Sequence, residues 1–133
     1  EEIKFDGDLT QLKDNTIGVL NGQSLGEKFD QAVNDKKLKI DFANNNELNV
    51  QKLLNKRVSI IGGEKNVLLS TVKKLKKSNE IQTLGAPLAE EPAYLIFSKK
   101  NNLNEVVEKY QNTLKEMKND GTYQKILDEY IKE

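Results

Sequence analysis

Residues 16–33 read TIGVLNGQSLGEKFDQAV, in which a buried strand, a tight turn and a helix start follow one another directly. The apolar run Thr16–Leu20 predicts the strand, and the glycine-containing turn at 21–23 closes it. Ser24 with Glu27 three residues later is a capping box, which predicts the start of a helix. Such a helix start directs free N–H groups and the positive end of its dipole above the sheet, where small anions bind. The alternative is that Ser24 only caps the helix.

Composition excludes several classes of function. The chain has 133 residues, enough for one domain with a modest core. Its 21 basic and 21 acidic side chains cancel, which argues against nucleic acid as a partner because phosphate binding requires concentrated positive charge. The absence of Cys and His removes disulfides, thiol nucleophiles, histidine-based triads and most zinc or iron sites. We therefore expect no catalytic residue, metal or cofactor.

Strands and helices alternate along the chain. The patterns predict further strands at 38–42, 58–61, 81–84 and 93–97, and helices at 46–55, 64–77, 104–119 and 123–131. We expect Asn46 to cap the first of these helices and Leu48, Leu53 and Leu54 to be buried. The run at 93–97 is the strongest of these strand predictions and is typical of the middle of a sheet. The alternation predicts a three-layer α/β fold with a mostly parallel sheet, followed by C-terminal helices.

Two predicted strand-to-helix junctions could hold a ligand, because ligands collect at the carboxyl ends of parallel strands. The turn at 22–24 offers a hydroxyl and free N–H groups to a carboxylate. At the other junction Gly62 and Gly63 allow close approach, and Glu64 offers a negative charge. The main chain of a free amino acid carries the matching pair, a carboxylate and an ammonium group. The alternative for Glu64 is an acid favoured by the dipole in the first turn of a helix.

Five motifs then follow one another with a distinctive order and spacing. They are DLTQLKDNTIGV at 8–19, GQS at 22–24, RVSIIGGE at 57–64, PLAEEPAYLIFSKK at 87–100 and NDGTYQKI at 119–126. Over nearly the whole chain they resemble the second lobe and C-terminal segment of bacterial family 3 solute-binding proteins. These type II periplasmic receptors deliver polar amino acids to ABC importers.

The resemblance implies roles for particular residues. Ser24 matches the residue whose hydroxyl and N–H bind the ligand α-carboxylate. We expect Gln23 and Leu25, in the same turn, to bind the ligand as well, and Gln23 stands where the family commonly has Thr. Glu64 matches the acid, usually Asp, that binds the α-ammonium group. Because Glu adds a methylene, the placement or selectivity of the ligand can differ from that of the family. The resemblance implies no catalytic residue and no metal.

The resemblance also implies a domain organisation. Residues 1–98 correspond to the second lobe, entered from a hinge near 1–8. Residues 99–133 correspond to the helical segment that, in the family, packs on a first lobe, which also supplies aromatic walls and an Arg that clamps the carboxylate. No such lobe precedes Glu1 in this sequence. We therefore expect an excised fragment; the alternative is a shorter natural form that pairs or swaps domains through 99–133.

The implied function is that of the substrate-binding component of an ABC-type importer for a polar amino acid, with a permease as partner. The implied location is the periplasm, or the outer face of a Gram-positive cell with a lipid anchor. One alternative is a ligand-sensing or dimerisation domain of a receptor that uses the same fold. An enzyme on this fold, such as a lytic transglycosylase, lacks an evident catalytic acid.

Overall fold

The computed structural model describes residues 3–90, 92 and 94–131, and of Ile131 only the backbone. The start of the predicted hinge, Glu1 and Glu2, and the start of the predicted strand at Ala93 lie outside these residues. The strands are β1 Thr16–Leu20, β2 Lys39–Ala43 and β3 Ile60–Ile61. The helices are α1 Glu27–Asn34, α2 Asn46–Leu54, α3 Lys65–Lys74, α4 Asn104–Asn119 and α5 Thr122–Ile131.

The three strands form a parallel sheet in the order β2-β1-β3. In the central strand, Ile17 is in register with Ile40 on one side and with Ile60 on the other. A strand that pairs in parallel on both sides needs helical crossovers between strands, and α1 and α2 supply them. The predicted α/β class with a parallel sheet is confirmed.

Helices cover both faces of this sheet. Ile17 and Val19 point to one face, where they pack in the core cluster with Phe29 of α1. Gly18 lies between them and therefore points to the other face. There the Asn49 side chain of α2 lies so close that a Cβ built on Gly18 would stand 2.2 Å from Asn49 Oδ1. The result is the three-layer arrangement expected from the alternation of strands and helices.

Helix α2 differs from its prediction in its cap and in its buried side. Oδ1 of Asn45, not of Asn46, accepts a hydrogen bond from the Leu48 N–H at 2.8 Å, so the cap lies one residue earlier. Leu48 is exposed, whereas Asn49 and Lys52 are buried. The prediction is wrong for Leu48, whereas Leu53 and Leu54 are half-buried. Asn49 and Lys52 are buried because each donates a hydrogen bond to the sheet, which hydrophobic periodicity does not reveal.

The predicted strands at 81–84 and 93–97 are wrong over their described residues. Neither 81–84 nor 94–97 has strand structure. Tyr94 and Ile96 are 80% and 94% exposed, so the side chains that predicted a central strand are not buried here. A strand exists only when a neighbouring strand pairs with its N–H and C=O groups. In the described part of the chain the sheet ends at β3.

The chain divides into two compact units, Glu1–Glu91 and Pro92–Glu133. The first contains the sheet and every buried apolar side chain of the described residues, from Phe5 to Val72. The second contains α4 and α5, whose side chains line an open apolar pocket of about 270 Å³. The described part of the chain contains no helix long and apolar enough to cross a membrane.

Candidate functional site

The turn between β1 and α1 is built differently from its prediction. Helix α1 begins at Glu27, and its N-cap is Gly26, which has no side chain to cap the helix. The prediction of a capping box at Ser24 is therefore wrong. Gly26 adopts φ 101° and ψ 151°, a conformation open almost only to glycine. This backbone conformation places the N-cap two residues beyond Ser24 and leaves the first amide groups of the helix without a side-chain cap.

Ser24 and Leu25 instead hold a carboxylate. The Ser24 hydroxyl donates to Asp30 Oδ2 at 2.5 Å, and the Leu25 N–H donates to Asp30 Oδ1 at 3.1 Å. The Gly26 N–H donates to Ser24 Oγ at 3.2 Å and so orients the hydroxyl. One hydroxyl and one main-chain amide therefore converge on the two oxygens of a single carboxylate, which is the chemistry that an amino-acid α-carboxylate requires.

Gln23 adds an unused acceptor to the same turn. Its N–H closes the turn by donating to the Leu20 carbonyl at 3.2 Å. Its side-chain Oε1 is buried and, within the described residues, has no hydrogen-bond partner. A buried amide oxygen without a donor carries a free-energy cost, so Gln23 can accept a hydrogen bond from an N–H group brought to it.

Glu64 lies at the second junction as the N-cap of α3. Its Oε1 accepts from the Asn66 N–H at 3.1 Å, and its Oε2 accepts from the Val67 N–H at 2.8 Å. The side chain is exposed, and each oxygen keeps a lone pair for a second donor. Glu64 thus stabilises the start of a helix, which is close to the alternative role of an acid favoured by the helix dipole. Ammonium binding by Glu64 stays a prediction.

The two junctions lie side by side at the carboxyl ends of β1 and β3. The Leu25 side chain lies over Gly62, where an added Cβ would stand 2.5 Å from Leu25 Cδ1. Residues 88–89 pack against the same turn, since an added Cβ on Gly26 would stand 2.8 Å from the Cβ of Ala89. Gly62 and Leu25 are therefore in contact, and each lies within two residues of a proposed ligand-binding residue, Glu64 or Ser24.

Sequence reasoning missed Asp30, the residue that engages both donors of the turn. Its one signal in the sequence is an acidic residue in the first turn of α1, and such residues are ordinarily explained by the helix dipole. The spacing of six residues from Ser24 matches no capping motif. Only the turn at Gly26 brings the two side chains together.

A second charged cluster lies outside the site. Asp41 Oδ1 accepts from Lys52 Nζ at 2.7 Å, and Oδ2 accepts from Arg57 Nε at 2.9 Å. These partners, Lys52 foremost, lower the pKa of the Asp41 carboxyl. In the described parts of the chain, no group of three or more acidic side chains could hold a metal ion.

Comparison with solved structures finds two similar chains, both described as ancestral arginine-binding proteins. One is bound to arginine and covers 95% of this chain with a TM-score of 0.62. The other is bound to glutamine and covers 98% with a TM-score of 0.59. Both are 28% identical to this chain, which spans 55% and 58% of their lengths. No protein-family model and no curated protein matches the chain.

Proposed function

We propose that this chain is the second lobe and C-terminal segment of a solute-binding protein that binds a free polar amino acid without catalysis. The observation that supports the proposal is the turn at Ser24 and Leu25, at the carboxyl end of β1. There a hydroxyl and a main-chain amide donate to a carboxylate, that of Asp30. The similarity to proteins bound to arginine and to glutamine supports the same ligand class.

Each site residue has a role in this proposal. The α-carboxylate of the ligand accepts from the Ser24 hydroxyl and the Leu25 N–H, and the positive end of α1 adds a favourable potential. The α-ammonium group donates to the free lone pairs of Glu64. Gln23 lies in the same turn, and its unpartnered Oε1 could accept from an N–H of the ligand only after a side-chain rotation that exposes it. Contacts made by the first lobe would complete the recognition of the ligand side chain.

The C-terminal segment, which we place at 99–133, packs on a first lobe in the proposed protein. Helices α4 and α5 carry exposed apolar side chains, among them Val106, Tyr110 and Tyr130. Exposed apolar side chains of this kind are suited to burial in an interface. With the hinge near 1–8, closure of two lobes over the ligand is the expected mechanism. The corresponding partner is an ABC permease, and the corresponding location is the periplasm or the outer face of a Gram-positive cell.

Calorimetric titration with L-arginine and L-glutamine tests the proposal on the Ser24→Ala variant. A single lobe makes only part of the contacts, so we expect a dissociation constant on the order of millimolar. The Ser24→Ala change is made in an Asp30→Asn background, so that the Asp30 carboxylate does not use the same hydroxyl in the free protein. There, loss of the hydroxyl removes one of two charge-assisted hydrogen bonds to the ligand and should weaken binding about tenfold. Ser59→Ala in the same background, an exposed serine before β3, is the matched control and should leave binding unchanged. Equal binding with and without the Ser24 hydroxyl would refute the proposed site.

A further inference from the structure

The donors that the proposed function gives to the ligand are already in use. A serine hydroxyl has a single proton, and that of Ser24 points to Asp30 Oδ2. The Leu25 amide also has a single proton, which points to Asp30 Oδ1. A ligand carboxylate needs these same two protons. It cannot take both while Asp30 stays where it is.

We infer that Asp30 is an internal competitor, whose carboxylate occupies the place of the ligand α-carboxylate and must leave before the ligand binds. The inference rests on the proposed function, because it uses the same turn and the same ligand end. Asp30 belongs to α1, so it competes at the high effective concentration of a tethered group. The apparent association constant for a free carboxylate is therefore the intrinsic one multiplied by the fraction of molecules in which Asp30 has left the turn.

The structure makes release of Asp30 feasible. Ser24 is exposed and Asp30 is only half-buried, so water can satisfy the Asp30 oxygens after a rotation about its side-chain bonds. The helix does not depend on this carboxylate for its own cap, since the N-cap is Gly26. Exchange of one carboxylate for another at the turn then keeps both donors paired.

The chain contains a matched control for this geometry. Asp8 Oδ1 accepts from the Thr10 N–H at 2.9 Å, and Asp8 Oδ2 accepts from the Thr10 hydroxyl at 2.8 Å. The same combination of hydroxyl, amide and carboxylate therefore occurs at the short 3-10 helix Leu9–Leu12, outside the proposed site. Asp8→Asn removes an equivalent charge without freeing the Ser24 turn.

The test compares wild type, Asp30→Asn and Asp8→Asn in titrations with sodium acetate and with L-arginine, followed by the amide resonance of Leu25. Removal of the competing charge should tighten acetate binding at Leu25 about tenfold in Asp30→Asn. Asp8→Asn should bind as the wild type does. In the wild type, the side-chain carboxyl carbon of Asp30 should shift together with the Leu25 amide as acetate binds.

Several results would overturn the inference. Asp30→Asn could bind acetate no better than wild type, or fail to fold, in which case Asp30 supports the turn rather than competes for it. The Leu25 amide could also respond while the Asp30 carboxyl carbon stays unchanged. If acetate binds Asp30→Asn more tightly but no variant binds an amino acid, the inference stands and the proposed function fails.

Discussion

At the centre of β1 the backbone of Gly18 lies against the fully buried side chain of Asn49. The Asn49 Nδ2 donates to the Gly18 carbonyl at 3.1 Å, while its Oδ1, among the described atoms, has no partner. The amide fills the space that a side chain at position 18 would occupy. The close packing of α2 on β1 therefore requires glycine at position 18 and the amide of Asn49 opposite it.

We predict that Gly18→Ala strongly destabilises the chain. The new Cβ would stand 2.2 Å from Asn49 Oδ1, and a buried amide pinned to the strand cannot move aside without losing its hydrogen bond. The free energy of unfolding, measured by urea denaturation, should fall by about 2–3 kcal/mol.

Gly85→Ala is the control for this substitution, since the nearest atom to its added Cβ is the Phe5 carbonyl oxygen at 3.8 Å. It should leave the stability nearly unchanged. A Gly18→Ala variant as stable as the control would contradict the close packing of Asn49.

We predict that Asp41 contributes to the pH dependence of stability. Its pKa is lowered in the folded chain, first by the hydrogen bond from Lys52, so the ionised carboxylate stabilises the fold above the ordinary pKa of an aspartate. That contribution is lost as the pH falls from about 4 through the lower pKa of the folded state.

Urea denaturation at neutral pH and at acidic pH measures this contribution. Asp41→Asn should be less stable than wild type at neutral pH, because Lys52 is buried and loses its charged partner, and it should lose less stability in acid. Asp35→Asn is the control, because Asp35 pairs with the exposed Lys37, and should have a smaller effect. Equal acid sensitivity of wild type and Asp41→Asn would contradict the assigned role.

These residues also show where sequence reasoning stops. Ser24 and Glu64 could be selected because each lies beside a glycine-containing turn in a recognisable motif. Asp30, Asn49 and Lys52 could not, because their partners are set by the turn at Gly26 and by the packing of α2 on β1 and β2. Polar groups buried with a partner look like surface residues in a hydrophobic pattern.

At the scale of the elements, the first three helices end in the same way. After each helix, the N–H groups of two residues bond back to the last turn, as in the pair Lys56 N–H to Leu53 carbonyl and Arg57 N–H to Lys52 carbonyl. This is a Schellman motif, whose C′ residue adopts a left-handed conformation. A lysine with φ 57° fills that position each time: Lys36, Lys56 and Lys76.

We predict that glycine at these lysine positions stabilises the chain. Glycine adopts positive φ without the steric penalty of a Cβ, so Lys56→Gly should raise the free energy of unfolding by about 0.5 kcal/mol. Gln51→Gly, an exposed position inside α2, should lower it by about 1 kcal/mol. Urea denaturation of both variants checks the sign, and a destabilised Lys56→Gly would contradict the assigned conformation.

The elements that sequence predicts best are those fixed by local pattern. Strand β1 and helix α4 occupy the predicted ranges, Thr16–Leu20 and Asn104–Asn119. The strand prediction at 93–97 is wrong over its described residues because a strand needs a partner strand, which a favourable composition does not supply. The C-terminal helices hold their shape from i to i−4 hydrogen bonds within each helix, which require no distant neighbour.

At the scale of the whole molecule, the core and the site share the first unit. The parallel sheet aligns the ends of β1 and β3, and that alignment brings the Leu25 turn against Gly62. The fold class follows from the alternation of strands and helices, and the similarity to arginine-bound and glutamine-bound proteins agrees with it. The chain spans just over half of the length of those proteins.

The central claim is that the turn at Ser24 and Leu25 binds the α-carboxylate of a free amino acid. Titration of the isotope-labelled chain with L-arginine and with agmatine, which keeps the guanidinium but lacks the carboxylate, tests it most directly. We expect arginine to shift the amide resonances of Ser24 and Leu25 in a saturable way and agmatine to leave them unchanged. Equal shifts with both compounds, or no shift with arginine at concentrations on the order of tens of millimolar, would contradict it.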